Sequence, residues 1–326
     1  MSPLTTKLRS LRADAGAHGK ADPRPNLAQL AARIERLQRR ASGRGDQIER
    51  ALGMRLMSDG VLVRRQELPL ALVGRLPNAL HALLGSAHIA EDLLFLDTET
   101  SGLAGGSGTM VFLIGLGRIR GDSLHLVQWL LSAPRGEAAM LADALDFARG
   151  CECIVSYNGK SFDLPLLAAR LRLNRMTNPW VGSPHIDLLH HVRRLFAGIW
   201  ADCRLASAEE HLLGLVRVDD IAGARVPEIW RNFVRYGDMR EVPAVLEHNR
   251  QDVLSLYSIL GRLDAIFRAP PADLCLDARR LARAYAKAGM TEAVLPLLLD
   301  RAEGSSTAAG LMLAECLHRQ DRKSVV

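Results

Sequence analysis

The sequence lacks the long apolar runs and the cysteine pattern that define membrane and disulfide-rich proteins. None of its apolar stretches approaches the ~18 residues that a transmembrane helix needs, and residues 1–10 are polar rather than signal-like. Its five cysteines are odd in number and scattered, which favours reduced thiols over a disulfide framework. We therefore expect a cytoplasmic protein that does not enter the membrane.

Two familiar ligand-binding motifs are incomplete. Cys151 and Cys153 are separated by a single residue, which is too short a spacing for the usual zinc-binding pair. Gly159-Lys160-Ser161 is similar to the end of a phosphate-binding P-loop, but that motif needs a glycine at position 154, which is Ile154. The sequence therefore predicts neither a zinc site at the cysteines nor a P-loop.

The chain is long and apolar enough for a sizeable core. Its 326 residues, 48% of them hydrophobic, suffice for about two domains. We divide it into a basic arm at 1–44, a lead-in segment at 45–89, a folded domain at 90–267 and a helical hairpin segment at 273–320. The last segment is tetratricopeptide-like but too short for an array of about three units. We expect it to pack on the folded domain or to bind a protein partner.

The net charge of +6 is concentrated in the arm. Residues 1–44 hold ten Lys or Arg against three Asp or Glu, whereas the rest of the chain holds 32 against 33. Apolar residues recur at helical spacing between Leu27 and Leu37, which predicts one short amphipathic helix in an otherwise largely disordered arm. A basic arm on a neutral body suits a polyanion such as nucleic acid. A solvated tail without a partner is the alternative that composition leaves open.

The folded domain reads as a mixed α/β pattern. Strands are predicted from Leu93 and over 110–117, 124–131, 153–156 and 184–188, and helices over 136–149, 163–173 and most of 188–267. One of these helices is introduced by Ser207-x-x-Glu210, a capping-box pattern. Short connections between the first three strands indicate antiparallel pairing. We therefore predict a five-stranded mixed sheet flanked by helices.

Two carboxylates lie at the end of the first of these strands. Side chains alternate along a strand, so Asp97 and Glu99 project to the same face. They repel each other unless a cation lies between them. A strand-end acid that stabilises a turn is the ordinary alternative for either residue alone.

Further acids occur at two later places in the chain. Asp163 lies at a strand-to-helix junction, where it would serve equally well as a helix N-cap. His248 and Asp252 are four residues apart on the apolar stripe of a helix, and they could form a structural buried pair. Several acids facing one cleft are better explained by a pair of divalent cations, and oxygen ligands indicate Mg²⁺ or Mn²⁺.

Together these motifs resemble a known enzyme family. Asp97-x-Glu99, Asn158-x-x-x-Phe162-Asp163 and His248-x-x-x-Asp252 are similar to the three motifs of the DEDD (DnaQ-like) 3′–5′ exonucleases. Within that superfamily, residues 90–267 resemble the bacterial YprB-type ribonuclease-H-like domain proteins. The resemblance implies a ribonuclease-H-like fold and a metal-dependent nuclease that hydrolyses phosphodiester bonds at the 3′ end of DNA or RNA.

The resemblance also implies a role for each motif residue. Asp97 would bridge two Mg²⁺ or Mn²⁺ ions, Glu99 and Asp252 would complete one metal site, and Asp163 would support the other. His248 would be the general base for the attacking water. Family members of the His type place this residue five positions before the last acid, and here the spacing is four. Because a helix turns by about 100° per residue, this difference leaves the role of His248 open.

Four more residues are expected to contact nucleic acid because they lie within or beside these motifs: Thr98, Asn158, Lys160 and Arg250. The charges of Lys160 and Arg250 could equally be solvated surface charges. Asp187 is predicted to be structural. The alternative to a nuclease is a non-catalytic nucleic-acid-binding or scaffold protein that uses the basic arm and the C-terminal helices.

Overall fold

The computed structural model describes residues 47–77, 79–81, 84, 89–102, 108–218, 220–269, 280 and 285. The predicted basic arm at 1–44, and the predicted hairpin at 273–320 apart from Arg280 and Tyr285, lie outside these residues. Within the described ranges, no helix is both long enough and apolar enough to cross a membrane.

A seven-stranded mixed sheet forms the centre of the fold. Its strands are β1 (Arg55–Ser58), β2 (Val61–Pro69), β3 (Leu93–Thr100), β4 (Val111–Arg120), β5 (Ser123–Leu131), β6 (Cys153–Ser156) and β7 (His185–Asp187). They are arranged in the order β1-β2-β5-β4-β3-β6-β7. The pairs on the β1 side of β3 are antiparallel, whereas β3 with β6 and β6 with β7 are parallel. The predicted mixed sheet and its antiparallel trio are therefore confirmed.

The predicted strand count of five was wrong, because the lead-in segment contributes two strands to the same sheet. All nine residues of β2 pair with β5, from Val61 opposite Leu131 to Pro69 opposite Ser123. β2 thus occupies the edge of β5, whose backbone groups would otherwise lack partners, and β1 then pairs with β2. The sequence did not predict this pairing, because strand pairing is set by contacts distant along the chain.

Helices flank the sheet. They are α1 (Leu70–Val73), α2 (Glu137–Ala148), α3 (Asp163–Leu173), α4 (Leu188–Phe196), α5 (Leu205–Leu213), α6 (Val226–Tyr236) and α7 (Val242–Arg268). The predicted capping box at the start of α5 was wrong. Arg204 occupies the N-cap position without a side-chain cap, and the Ser207 hydroxyl instead donates to Asp202 Oδ1 at 2.5 Å.

Strand β3 separates two apolar clusters. Leu93 and Phe95 pack into one with residues of α4, α5 and α7, and Leu94 and Leu96 pack into the other with residues of α2, α3 and α6. This alternation follows from the two-residue period of a strand. The carboxyl ends of β3, β6 and β7 meet at one edge of the sheet because these strands are parallel. In open α/β sheets that edge is where ligands commonly bind.

Candidate metal centre

Four carboxyl groups from distant parts of the chain come together at this edge. Asp97 and Glu99 lie near the end of β3, Asp163 is the first residue of α3, and Asp252 lies within α7. Asp97 is close enough to the other three that the charge of each raises the pKa of its carboxyl group. The structure thus brings into one cluster the four acids that the sequence separates into three motifs.

The cluster is electrostatically unfavourable without a cation. Burial is the largest cause of the raised pKa values, which reach about 8 for Glu99 and about 6 for Asp163 and lie well above the usual range for Asp97. Burial also raises the pKa of Asp252, although His248 and Arg217 oppose that shift. A buried carboxylate among other carboxylates resists ionisation until a positive charge compensates it.

Three of the side chains form a compact set of potential metal ligands. One ligand atom from each of Glu99, His248 and Asp252 lies within 4.8 Å of the others. His248 Nε2 is 3.8 Å from Glu99 Oε1 and 3.7 Å from Asp252 Oδ2. Buried, mutually repelling carboxylate oxygens are the donor set that Mg²⁺ and Mn²⁺ prefer, so the residues present fit such ions.

The imidazole of His248 is held from its other side. Its Nδ1 lies 2.7 Å from Asp220 Oδ1, on the segment that connects α5 to α6. Burial alone would lower the pKa of His248, but Asp252, Asp220 and Glu99 outweigh it and raise that pKa. A proton on Nδ1 that is donated to Asp220 leaves the Nε2 lone pair directed at the acids. The four-residue spacing therefore does not remove His248 from the cluster.

Arg217 links several of these groups, although no local sequence pattern marks it. Its guanidinium pairs with both oxygens of Glu209, at 2.5 and 2.7 Å, and contacts Asp252 Oδ1 and Asp220 Oδ2. Glu209 is fully buried on α5 and also accepts from Ser255 on α7. Burial alone would lower the pKa of Arg217, but its bonds to these acids raise it. Arg217 therefore anchors the connecting segment, including Asp220, against α5 and α7.

Asn249 is a second residue that the sequence did not single out. It is fully buried, and its Nδ2 donates to Asp97 Oδ2 at 2.7 Å. Its Oδ1 accepts from Gln128 Nε2 at 2.8 Å, and Gln128 Oε1 accepts from Arg64 Nε at 2.9 Å. This chain of side chains fixes the orientation of the Asp97 carboxyl group from the interior of the sheet.

The chain of hydrogen bonds needs a glycine on β4. A Cβ atom at Gly115 would lie 2.4 Å from Asn249 Oδ1 and 2.8 Å from its Nδ2, and the fully buried amide is held in place by its bonds to Gln128 and Asp97. We expect Gly115→Ala to lower the free energy of unfolding by about 1–3 kcal/mol through overpacking, measured by urea denaturation. Gly223→Ala is the control, since a Cβ there meets nothing within 4 Å. Equal stability of the two variants would contradict the close packing at Asn249.

Raised pKa values predict how stability depends on pH without metal. In the folded chain the pKa is about 8 for Glu99 and about 6 for Asp163. In the unfolded chain both groups have a pKa of about 4. The folded state therefore binds more protons than the unfolded state. The stability that these protons contribute is present in full below about pH 4 and is lost as the pH rises through the folded-state pKa values. In EDTA, Glu99→Gln should flatten the decline measured by urea denaturation between pH 5 and 8. The same change at exposed Glu67 should leave the slope as it is, and an unchanged slope in Glu99→Gln would contradict the assignment.

The residues predicted to contact nucleic acid have different surroundings. The Thr98 hydroxyl donates to Asp163 Oδ1 at 2.5 Å. The Arg250 guanidinium contacts Glu247 and Gln66. Lys160 is exposed, which fits both a ligand contact and a solvated surface charge.

Asp187 organises the loop after β6. Its carboxylate accepts the backbone N–H groups of Asn158 at 2.7 Å and Lys160 at 3.1 Å, and it also caps α4 through the N–H of Leu189. Asn158 has a positive φ of 66°, a conformation that asparagine tolerates better than most residues. The predicted structural role of Asp187 is therefore confirmed.

Tyr157, the first residue after β6, does not offer the site a second proton acceptor. Its hydroxyl donates to the carbonyl oxygen of Cys203 at 2.6 Å. Burial raises the pKa of this hydroxyl, so it is a poor proton acceptor at neutral pH.

Comparisons with known proteins agree with the fold. Residues 94–264, more than half of the chain, match the RNase_H superfamily. The chain is also 36% identical over 180 residues to "Uncharacterized protein YprB" of Bacillus subtilis (strain 168), a match covering 55% of this chain and 43% of that protein. The chain thus spans less than half the length of this relative. Residues 94–264 include the four acids and also Arg217, Asp220 and His248. The chain belongs to the RNase_H superfamily.

Proposed function

We propose that this protein is a metal-dependent nuclease of the DEDD type that removes nucleotides from the 3′ end of DNA or RNA. The observation that carries the proposal is the convergence of Asp97, Glu99, Asp163 and Asp252. Burial raises the pKa of all four carboxyl groups, and the charges of the other acids raise the pKa of Asp97 and Glu99 further. A protein that used these acids only for stability would pair each with a cation. Among the residues that the structure describes, Arg217 pairs with Asp252 and His248 lies near Glu99 and Asp252, whereas Asp97 and Asp163 form no ion pair. Membership of the RNase_H superfamily independently favours a nuclease.

The carboxylates have distinct tasks in this proposal. Asp97 would contribute to both sites for Mg²⁺ or Mn²⁺, Glu99 and Asp252 would complete one of them, and Asp163 would support the other. When bound, such ions supply Lewis-acid stabilisation of the charge that develops on a phosphodiester during hydrolysis. Asn249 holds the Asp97 carboxyl through Nδ2, and Thr98 holds that of Asp163 through its hydroxyl.

His248 is the proposed general base. Its Nε2 faces Glu99 and Asp252, and its Nδ1 bonds to Asp220. In this arrangement Nε2 takes a proton from the attacking water, and the carboxylate of Asp220 stabilises the resulting imidazolium. Asp220 is thus a positioning residue that acts through His248.

A cleavage assay tests the function and its polarity. The protein is incubated with single-stranded DNA and RNA labelled at the 5′ end, and in parallel at the 3′ end, in Mn²⁺, Mg²⁺ or EDTA. The proposal predicts a ladder of shortening products from the 5′ label, immediate release of a labelled mononucleotide from the 3′ label, and no cleavage in EDTA. Binding without cleavage under every metal condition would instead favour the non-catalytic nucleic-acid-binding alternative.

A further inference from the structure

The outer face of α4 is basic and lies beside the candidate metal centre. Of the nine residues of α4, only His190, Arg193 and Arg194 are exposed, and all three are basic. Their i, i+3 and i+4 spacing places them on a single side of the helix, while the apolar residues face the core. Such a face is complementary to a polyanion.

This face is connected to the metal centre through the loop that follows β6. A Cβ atom on Gly159 would lie 3.3 Å from Asp163 Oδ2, so the loop passes directly beside that acid. The next residue, Lys160, donates its backbone N–H to Asp187, which caps α4. The backbone of Lys160, whose side chain is exposed, therefore lies on the loop between Asp163 and the start of α4.

The cations of this surface remain available to a ligand. Within the part of the chain that the structure describes, Lys160, Arg193 and Arg194 form no ion pair. His190 has the buried Asp187 as its nearest acid, at 3.9 Å. The neighbouring acid Asp202 is already bonded to Ser207 and to the backbone of Arg204. Clustered, unpaired cations repel one another, and an anionic ligand relieves that repulsion.

An exposed aromatic side chain completes the surface. Phe162 is 59% exposed and lies between Lys160 and Asp163 in sequence. An aromatic ring that is open to solvent beside a row of cations is the combination that binds single-stranded nucleic acid, with phosphates on the cations and a base stacked on the ring. A duplex keeps its bases paired and cannot offer one to the ring.

We propose that Lys160, Phe162, His190, Arg193 and Arg194 form the track along which a single-stranded nucleic acid reaches the metal centre. The residues from Asp187 to Arg194 extend over roughly 10 Å of helix, which is enough to contact more than one phosphate. Only the destination of the strand, which is the metal centre, rests on the proposed function. Its binding does not depend on metal.

Binding in EDTA tests the track separately from cleavage. Fluorescence anisotropy of a labelled single-stranded oligonucleotide, repeated over a range of salt concentrations, is compared for the parent and for the double variant Arg193→Gln with Arg194→Gln. We expect about a tenfold or greater loss of affinity at low salt, and a salt slope smaller by about 1.4, because two phosphate contacts are lost. Phe162→Ala should weaken binding of the single strand while leaving the salt slope unchanged.

A matched control carries the same loss of charge elsewhere. Arg55→Gln with Arg172→Gln alters two exposed arginines, one on β1 and one near the end of α3, and should bind as the parent does. Parent-like affinity and salt slope in the α4 variant would overturn the track, as would a parent that binds no single strand in EDTA. An equal loss for a duplex in Phe162→Ala would overturn the single-strand assignment. A parent that binds but does not cleave would contradict the proposed function and leave the track intact.

Discussion

Replacing Asp97 by asparagine is expected to abolish metal-dependent cleavage. Asparagine has nearly the same shape but removes the charge of the acid that lies at the centre of the cluster. A bound metal supplies several kcal/mol of transition-state stabilisation, so we expect the cleavage rate to fall by about 10³-fold or more. The rate is measured on an end-labelled oligonucleotide in Mn²⁺ and in Mg²⁺.

The same variant should fold normally, because the substitution relieves a strain rather than creating one. Burial and the three neighbouring acids raise the pKa of Asp97, and a neutral amide avoids that repulsion. Thermal melting in EDTA should therefore show Asp97→Asn to be at least as stable as the parent. Asp122→Asn, at a largely exposed carboxylate, is the control for activity. Substantial residual cleavage in a folded Asp97→Asn protein would contradict the proposed role of this carboxylate.

Replacing His248 by alanine is expected to lower turnover by about 10²–10⁴-fold, the usual contribution of general acid–base catalysis. The four carboxylates remain, so Mn²⁺ affinity should change much less than turnover. The parent should also lose activity as the pH falls below the pKa of the His248 imidazole, because a protonated base cannot accept a proton. The variant should lack that acidic limb in its pH–rate profile.

Two further variants separate catalysis from packing. His125→Ala alters a histidine on β5 and should retain the parent turnover and profile. Asp220→Asn keeps the size of the side chain but removes the charge that faces Nδ1, and should give a smaller loss than His248→Ala. If His248→Ala and the parent share one turnover number and one pH profile, His248 is a packing residue and the base has to be sought elsewhere.

The sequence was sufficient for five of the seven described strands and for the four acids, because each leaves a local signature. The strand at Leu93 is an unbroken apolar run that ends in Asp97 and Glu99, and alternation along a strand already places both acids on one face. The strand-to-helix junction at Asp163 and the helical stripe at Asp252 are equally local. Their convergence followed from the family resemblance rather than from the residues themselves.

What the sequence did not predict depends on contacts between distant segments. Arg217 and Asp220 lie in an irregular connection without periodicity, and only its folding against α5 and α7 brings them to His248 and Asp252. Glu209 lay inside a segment interpreted as a helix cap, but it is a fully buried partner of Arg217. No local pattern distinguishes such an acid from an exposed one.

Two other details could have been inferred from helix geometry. Arg250 is two residues from both His248 and Asp252, which places it roughly 200° away around the helix, and its guanidinium accordingly contacts Gln66 and Glu247. Asn249, the immediate neighbour of His248, lies about 100° around the helix from it and faces β4 and Asp97. A helical projection would have separated the residue that faces the sheet from the one that does not.

Counting bound Mn²⁺ shows whether these four acids form one divalent-metal centre. Purified parent and Asp97→Asn proteins are titrated with Mn²⁺ near pH 7.5, and free Mn²⁺ is measured by electron paramagnetic resonance. We expect two ions bound per parent chain, fewer in Asp97→Asn, and a rise in the melting temperature of the parent alone on addition of metal. A parent chain that binds no Mn²⁺ and melts at the same temperature with and without it would show that the acids form no such centre.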